Sequence, residues 1–578
     1  MKQRSMLYPA VEYEQVRQII EASIKEHADR NAFIIKHKVG KQSEYESISY
    51  RQFGDDIRSL GTALLHRHCE GKRIAIIGKN SYAWITGYFA GLGSNMIVVP
   101  LDRGLPGEEI ESCLARSKAD ILLFDVDHKE QVQALMRKSR SDMLFVSMET
   151  CDNFLTFSDL IGEGEELLRG GDTSYDTIII RPDDMSFILF TSGTTQASKA
   201  VMLSQRNIAS NIYALTRCEA IFPTDVNMAF LPFHHTFSST GIVFILSKGA
   251  TNVFCDGLKY IAQNLKEYKV SVFICVPLII EAMYKKIFQE AKKQNKEALL
   301  RRMLAISSVL LKIGIDVRRK LFRSVIEQLG GHIRFVISGA AAISPEVAMG
   351  FNALGILTVQ GYGLTETSPV LSAENAENIR CGSVGVPMCN VEIAIDHPDE
   401  QSIGEVIAKG PNVMLGYYED VQETERVLID GWFHTGDLGY VDCDGFLYLC
   451  GRKKNVIVQK SGKNIYPEEI ELLLNRLPYL SESMVFGWEK GDDYIVSAKL
   501  VYDEELVREM VPECIKNSKI DESLLRARIE GDIEQINRSL PAYKHIRRFI
   551  LSDIPTVKTT TAKIKRHEEM QTITSDEV

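Results

Sequence analysis

Residues 187–199 read FILFTSGTTQASK. Four apolar residues, Phe187 to Phe190, have the length and composition of a buried strand. The strand runs without a break into Thr191, Ser192, Gly193, Thr194 and Thr195, and Lys199 follows. Small and hydroxyl residues after a buried strand can wrap an anion with backbone N–H groups and O–H donors, and a lysine adds charge. A P-loop would place a second glycine before the lysine and a magnesium-binding hydroxyl after it. Ser198 and Ala200 hold those places, which excludes a P-loop NTPase.

On the N-terminal side the same alternation repeats. Residues 73–78 (RIAIIG) read as a buried strand, and residues 81–93 as a helix with Trp84, Tyr88 and Leu92 at i, i+4 and i+8. Residues 96–101 are strand-like, 107–119 helical and 121–124 strand again. A β-α-β-α rhythm predicts an α/β fold with mostly parallel sheets covered by helices. On the C-terminal side a turn-rich β run, residues 431–450, contains Asp444-Gly445 as a hairpin signal. A boundary follows near residues 451–454. Beyond it, residues 494–501 read as a strand and 524–536 as a helix, enough for a small separate domain. Two domains are expected, residues 1–453 and 454–578. The polar stretch from His567 onward is expected to fray.

Composition narrows the function. The 578 residues are 45% hydrophobic and 25% charged, as in ordinary globular proteins. Apolar runs such as 273–276 and 278–280 fall far short of the ~20 residues a membrane span needs. Near the N-terminus, Glu12, Glu14 and Arg17 interrupt any apolar core that a secretory signal would require. The net charge of −10 argues against a nucleic-acid binder. Eleven cysteines, without a CxxC pair, fit free thiols in a reducing cytosol. Residues 285–323 break the pattern, with twelve Lys or Arg against three acidic residues. They read as a solvated helical face, or as a surface for anionic headgroups at the inner face of a membrane or for an acidic partner.

Further stretches carry chemistry. In residues 231–237 (LPFHHTF), His235 sits among apolar neighbours. Ser338, Gly339, Ala340 and Ala341 follow a strand over 333–337, and small residues there permit close backbone approach. Residues 360–367 read QGYGLTET. An aromatic ring flanked by glycines can lie flat on a purine, a nearby hydroxyl can meet a phosphate, and a carboxylate can hold Mg²⁺. Thr435-Gly436-Asp437 follows a strand, and a carboxylate there can accept two ribose hydroxyls.

In this order these motifs resemble the adenylate-forming superfamily of acyl-CoA synthetases, peptide-synthetase adenylation domains and luciferases, from about Arg51 to Arg566. Members carry Gly, Pro and Gly where this chain has Gln196, Ser198 and Ala200. The resemblance implies a large N-terminal domain that adds a distorted β-barrel, and a small mobile α+β C-terminal domain. It assigns Thr191, Ser192, Gly193, Thr194, Thr195 and Lys199 to ATP phosphates. Gly339, Ala340, Ala341, Gln360, Gly361, Tyr362 and Gly363 go to adenine. Asp437 and Arg452 go to ribose. Thr365 meets the α-phosphate, Glu366 holds Mg²⁺ and His235 lines the acyl pocket. Lys454 is the hinge, Gly462 borders the thiol channel, and Lys563 is the adenylation lysine. Thr365, Glu366, His235 and Lys563 form the expected catalytic set.

The wording GYGLTETSP, GRKKNVIV and SGKNIYPEEIE resembles bacterial long-chain acyl-CoA ligases. That implies an ATP-, Mg²⁺- and coenzyme A-dependent ligase acting on a fatty acid in the cytoplasm. An acyl-carrier-protein ligase, an aryl or other bulky-acid ligase, and a non-catalytic binding protein are the alternatives.

Overall fold

The computed structural model describes residues 2–39, 42–138, 143–191, 198–460, 463–490, 493–558 and 564–573. Two large, mostly parallel sheets form its main body.

The first sheet grows from the strand Arg73–Ile77, which pairs in parallel with Ile97–Leu101 and with Ile121–Phe124. Ser81 caps the intervening helix Tyr82–Gly93 by accepting the Trp84 N–H at 3.2 Å. That helix is apolar all round and is accordingly buried on every face. The strand Met185–Thr191 joins the sheet in parallel through Ile97–Leu101, then pairs antiparallel with Lys199–Ser204. The second sheet has nine strands. Thr251–Phe254, Val226–Ala229, Val272–Cys275, Phe335–Ser338 and Leu357–Gly363 run parallel through its middle. Short connections after these strands put several of the chemical motifs at carboxyl ends, where ligands of open α/β sheets bind.

A five-stranded antiparallel sheet stands where the distorted barrel is expected. Its long strand Trp432–Val441 pairs with Gly404–Lys409 on one side and Leu447–Arg452 on the other, with a register shift in each pairing. The hairpin turn at Asp444-Gly445 is present, with Gly445 at a φ of 88°.

The last part has its own apolar core. Ile457, Ile465, Ile470, Leu474, Val485, Val496 and Leu525 are among its buried members. They fill the space between the strands Leu480–Lys490, Asp493–Tyr502 and Arg548–Ser552 and the helices Pro467–Leu474 and Glu522–Arg538.

The expected fraying is overturned for residues 567–573, and residues 574–578 lie outside the described residues. The stretch after His567 begins as part of the helix Arg566–Thr572. Met570 and Ile573 pack against Met484, Phe486 and Ile550. Glu569, 1% exposed, holds the Lys499 ammonium and accepts the Val557 N–H at 2.8 Å. Two apolar residues and one paired acid anchor a segment that is otherwise polar. Among the described residues, no helix is long and apolar enough to cross a membrane.

Candidate active site

Tyr362 lies two residues beyond the parallel run of its strand, pairs antiparallel with Ser372 and is 8% exposed. Its hydroxyl donates to Oδ2 of Asp437 at 2.6 Å. The other oxygen of Asp437 lies 3.0 Å from Nε of Arg452, its cross-strand neighbour. Arg452 also donates to the Thr435 carbonyl at 3.0 Å, and the Asp437 N–H meets Oγ1 of Thr435 at 3.0 Å. Gly436, between them, has a φ of 71°, a conformation that suits glycine. Burial first, and then the Asp437 charge, push the Tyr362 phenol well above its ordinary pKa. Tyr362 therefore remains a donor at any physiological pH.

The glycines beside Tyr362 serve close approach. A Cβ on Gly363 would lie 1.7 Å from the Pro369 carbonyl oxygen, and one on Gly361 would lie 3.4 Å from that of Ser372. Gln360 is buried and turns its amide to the Ser383 carbonyl. Gly339 presses on the ring of Phe237, which follows His235 by two residues. The turn after Phe335–Ser338 and the histidine segment are thus in contact. Ala340, with a φ of 69°, and Ala341 are exposed at that turn. His235 precedes the helix Thr236–Ser247, and its ring lies 4.0 Å, centroid to centroid, from that of His234. Burial lowers the His234 pKa, and its Nε2 is 3.5 Å from Asp102.

Thr365 and Glu366 lie in a single 3-10 turn, Thr365–Thr367. Glu366 accepts the Tyr417 hydroxyl at 3.0 Å, and its carbonyl accepts the Met414 N–H at 2.8 Å. The Lys199 ammonium lies 4.7 Å from the centroid of the Tyr417 ring and pairs with Glu423. Arg426 also donates to Glu423, at 2.6 Å. Arg426 and then Lys199 hold the Glu423 carboxyl down to about 2. Thr191 and Lys199 are cross-strand partners at the neck of the loop that opens the sequence reading. Burial lowers the Lys454 pKa, as do the charges of Arg452, Lys199 and Arg566. The Asp437 charge acts in the opposite direction on Lys454.

Ser192, Gly193, Thr194, Thr195, Gly462 and Lys563 lie outside the described residues. The flanks of 559–563 are described. Lys558 and Ile564 pair as an antiparallel bridge, and Arg566 grips both Glu471 oxygens at 2.6 Å.

Tyr417, Glu423 and His234 are absent from the sequence-based site. Tyr417 is 51 residues from Glu366, and no spacing rule links them. The pair His234-His235 was visible, but nothing in one sequence said which ring faces which neighbour.

A family model described as "AMP-binding enzyme" matches residues 20–418. The chain belongs to the AMP-binding enzyme family. Members of curated function are similar along most of its length. Long-chain-fatty-acid–CoA ligase 5 of Rattus norvegicus is 30% identical over 91% of this chain and 82% of its own. Long-chain-fatty-acid–CoA ligase FadD15 of Mycobacterium bovis is 26% identical, covering 92% of both chains. Among solved structures, the anthranilate CoA ligase AuaEII in complex with anthranoyl-AMP superposes with a TM-score of 0.75 at 19% identity, covering 97% of this chain and 98% of its own. ATP-bound MatB from Rhodopseudomonas palustris gives 0.73 at 22%, covering 96% and 99%. These structural likenesses establish the family fold for this chain.

Proposed function

We propose that this enzyme activates a fatty acid with ATP and passes the acyl group to coenzyme A. A carboxylate oxygen attacks the α-phosphorus, the bond to the β-phosphate oxygen breaks, and acyl-AMP and pyrophosphate result. The thiol sulfur then attacks the acyl carbon, its proton is lost, and AMP leaves.

The observation that carries the reading is the joining of Tyr362, Asp437 and Arg452 in one hydrogen-bonded set near Lys199 and Lys454. A flat buried ring beside a carboxylate suits a nucleoside, and the cations beside it suit its phosphates. The relatives named as long-chain fatty-acid–CoA ligases support the acid and the thiol. The apolar helix Thr236–Ser247 behind His235 supports an acyl pocket.

Anion must meet anion in the first step, so positive charge and aimed donors do most of the work. Glu366 fits Mg²⁺, since among the described residues one neutral donor orients its hard carboxylate through Oε1. Bound there, Mg²⁺ would neutralise phosphate charge. Lys199 and the loop 191–199 would hold the departing pyrophosphate, Thr365 the α-phosphate, Asp437 the ribose hydroxyls, and Lys563 the developing charge during adenylation. In this reading residues 1–453 hold ATP and acid, residues 454–578 turn about Lys454, and Gly462 then borders the thiol channel. The separate apolar core beyond Ile457 supports that division.

Residues 285–323 support a docking role beside the catalytic one. Leu299, Ile306, Val309 and Ile313 share one helical face and are 54–66% exposed among basic neighbours. An anionic membrane inner face suits such a surface, and an acidic carrier protein is the other occupant to test. These features support a cytoplasmic enzyme in peripheral contact with lipid.

Acid-dependent exchange of pyrophosphate into ATP, over free acids of graded length, tests the first step. Exchange that rises with long-chain acids is expected. Release of ADP, or no stimulation by any acid, overturns the reading. Comparing acyl transfer to free coenzyme A and to a carrier protein then identifies the thiol, and aryl acids in the panel test the bulky-acid alternative.

A further inference from the structure

The neck of the loop 191–199 is closed by an arginine from another part of the chain. Arg116 lies in the last turn of the helix Gly107–Ser117, half-buried. Its Nη2 donates to the Ser198 carbonyl at 2.7 Å and its Nη1 to the Ser198 hydroxyl at 3.2 Å. Its guanidinium carbon also lies 5.1 Å from the centroid of the Phe190 ring. Phe190 belongs to the strand that enters the loop, and Ser198 is the first described residue leaving it. One planar cation thus touches both stems.

We propose that Arg116 is a positioning residue that sets the mouth of the phosphate loop for ATP. This inference rests on the reading of residues 191–199 as the triphosphate loop. A guanidinium carries several donors in a rigid fork and can stack on an aromatic face at the same time. Bonds to a carbonyl and a hydroxyl of one residue fix the orientation of that residue against the preceding strand. Ser198 is one of three positions at which this loop departs from the superfamily pattern, and it is the one the guanidinium grips. Below the neck, Phe190 pairs with Ala200 and Thr191 with Lys199. The Tyr418 N–H reaches the Ala200 carbonyl at 2.7 Å on the outer side. The stems are therefore held from two sides, and Lys199 leaves a braced strand end.

A cation in the last turn of a helix is favourable in any case through the helix dipole. A merely structural role would lower the melting temperature of Arg116→Ala and leave the affinity of the folded protein for ATP unchanged. A positioning role weakens ATP selectively, because without the arginine Ser198 must be fixed at the moment of binding.

The test uses the full-length protein, with ATP binding followed by calorimetry and the KM for ATP and for the acid followed kinetically. Arg116→Ala is expected to weaken ATP binding about tenfold, the size of one lost charged hydrogen bond. The KM for the acid should stay within about twofold. Arg116→Lys should recover only part of the loss, since a lysine carries a point charge and no fork. Ser198→Pro in the Arg116→Ala background should recover ATP affinity, because the ring fixes φ at the same residue without the arginine. Should Arg116→Ala fail to fold, Ser198→Ala removes one acceptor only and should shift ATP affinity in the same direction by about threefold. Affinity unchanged in a folded Arg116→Ala protein overturns the proposal, as does an equal rise in both KM values or the absence of any Ser198→Pro recovery. Wild-type protein that binds no ATP would overturn the triphosphate-loop reading itself, an outcome distinct from equal ATP binding by wild type and variant.

Discussion

The hydroxyl of Tyr417 donates to Oε1 of Glu366 across 3.0 Å. The same phenol ring carries Lys199 on its face. One buried side chain therefore spaces the lysine of the phosphate loop from the carboxylate assigned to Mg²⁺, and the two halves of Tyr417 can be separated by mutation. Tyr417→Phe keeps the ring and removes only the donor. A hydrogen bond to a charged group is worth about 1.5–3 kcal/mol, roughly a tenfold to hundredfold effect. Acid-dependent pyrophosphate exchange in Tyr417→Phe should fall about tenfold, and half-maximal exchange should need more Mg²⁺. Titrating Mg²⁺ at saturating ATP checks this. An Mg²⁺ curve that superposes on the wild type would break the link between Tyr417 and the metal role of Glu366.

Asp437 faces Tyr362 through one oxygen and Arg452 through the other. Asp437→Asn keeps its shape and removes its charge. The amide still offers one acceptor, so Tyr362 stays paired and the protein should fold normally. Its NH₂ group cannot accept a ribose hydroxyl, and it would face Arg452 as donor against donor. The KM for ATP should rise by about 10- to 100-fold. The KM for the acid, whose proposed pocket is lined by His235, should change little. Steady-state kinetics in each substrate separates the two.

The glycines around Tyr362 give a stability prediction that needs no ligand. Gly363→Ala would drive a methyl group to 1.7 Å from the Pro369 carbonyl oxygen, backbone against backbone. Overpacking of this kind costs about 1–3 kcal/mol, and here the strand pairing with Val370 must also shift. Gly361→Ala meets its first neighbour at 3.4 Å and should be tolerated. Denaturant midpoints of the two variants should differ in that order. Equal midpoints would show that the strand yields freely at Gly363.

Two buried acids, Glu219 and Glu374, predict a pH dependence of stability. Burial, and then the charge of Glu374, raise the Glu219 carboxyl to about 8, and burial raises Glu374 to about 7. Cys218 faces Glu219 with Sγ 3.6 Å from Oε1. Both acids are raised on folding, so the native state holds protons that the unfolded chain releases near pH 4.5. Their stabilising contribution is fully present below that pH and is lost as the pH rises through about 7 to 8. Glu219→Gln is neutral throughout. It should match the wild type near pH 5 and exceed it at pH 8.5 by on the order of 2 kcal/mol. Urea unfolding at the two pH values checks the sign. A variant less stable than wild type at pH 8.5 would mean that the charged form is welcome at this position.

The large sheets were legible because their strands are short apolar runs and their helices start at recognisable caps. Ser81 before Trp84 is one example. The motif residues were legible because each motif is local. Gly361, Tyr362, Gly363 and Glu366 announce themselves within seven positions. Partners supplied from elsewhere were not. Tyr417, Glu423 and Arg116 reach the site through strand pairing and packing, and none stands at a diagnostic spacing from the residue it holds. The helix Arg566–Thr572 was missed for a related reason. Its apolar contacts, Met570 and Ile573, are too few to make a periodic pattern, and its stability comes from Glu569 meeting Lys499.

The last prediction separates the two half-reactions. Lys454 sits where the antiparallel sheet ends and the second apolar core begins, in the turn Lys453–Asn455. The next residue, Asn455, donates to Glu468 at 2.6 Å, and Lys453 pairs with Glu405 at 2.8 Å, so contacts on both sides brace that turn. Lys454→Pro fixes φ at the hinge position and restricts the residue before it. If residues 454–578 must turn between the steps, the variant should form acyl-AMP at near wild-type rate and transfer it to coenzyme A slowly. Lys563→Ala should do the reverse. If Lys563 supplies the charge that the proposed adenylation step needs, its loss should slow adenylation by about 10²–10³, whereas chemically supplied acyl-AMP should still be converted to thioester. Single-turnover measurements of pyrophosphate release, and of thioester formation from acyl-AMP, resolve both. A Lys454→Pro enzyme that loses both steps equally would remove the hinge from Lys454 and leave the chemistry of Lys563 standing.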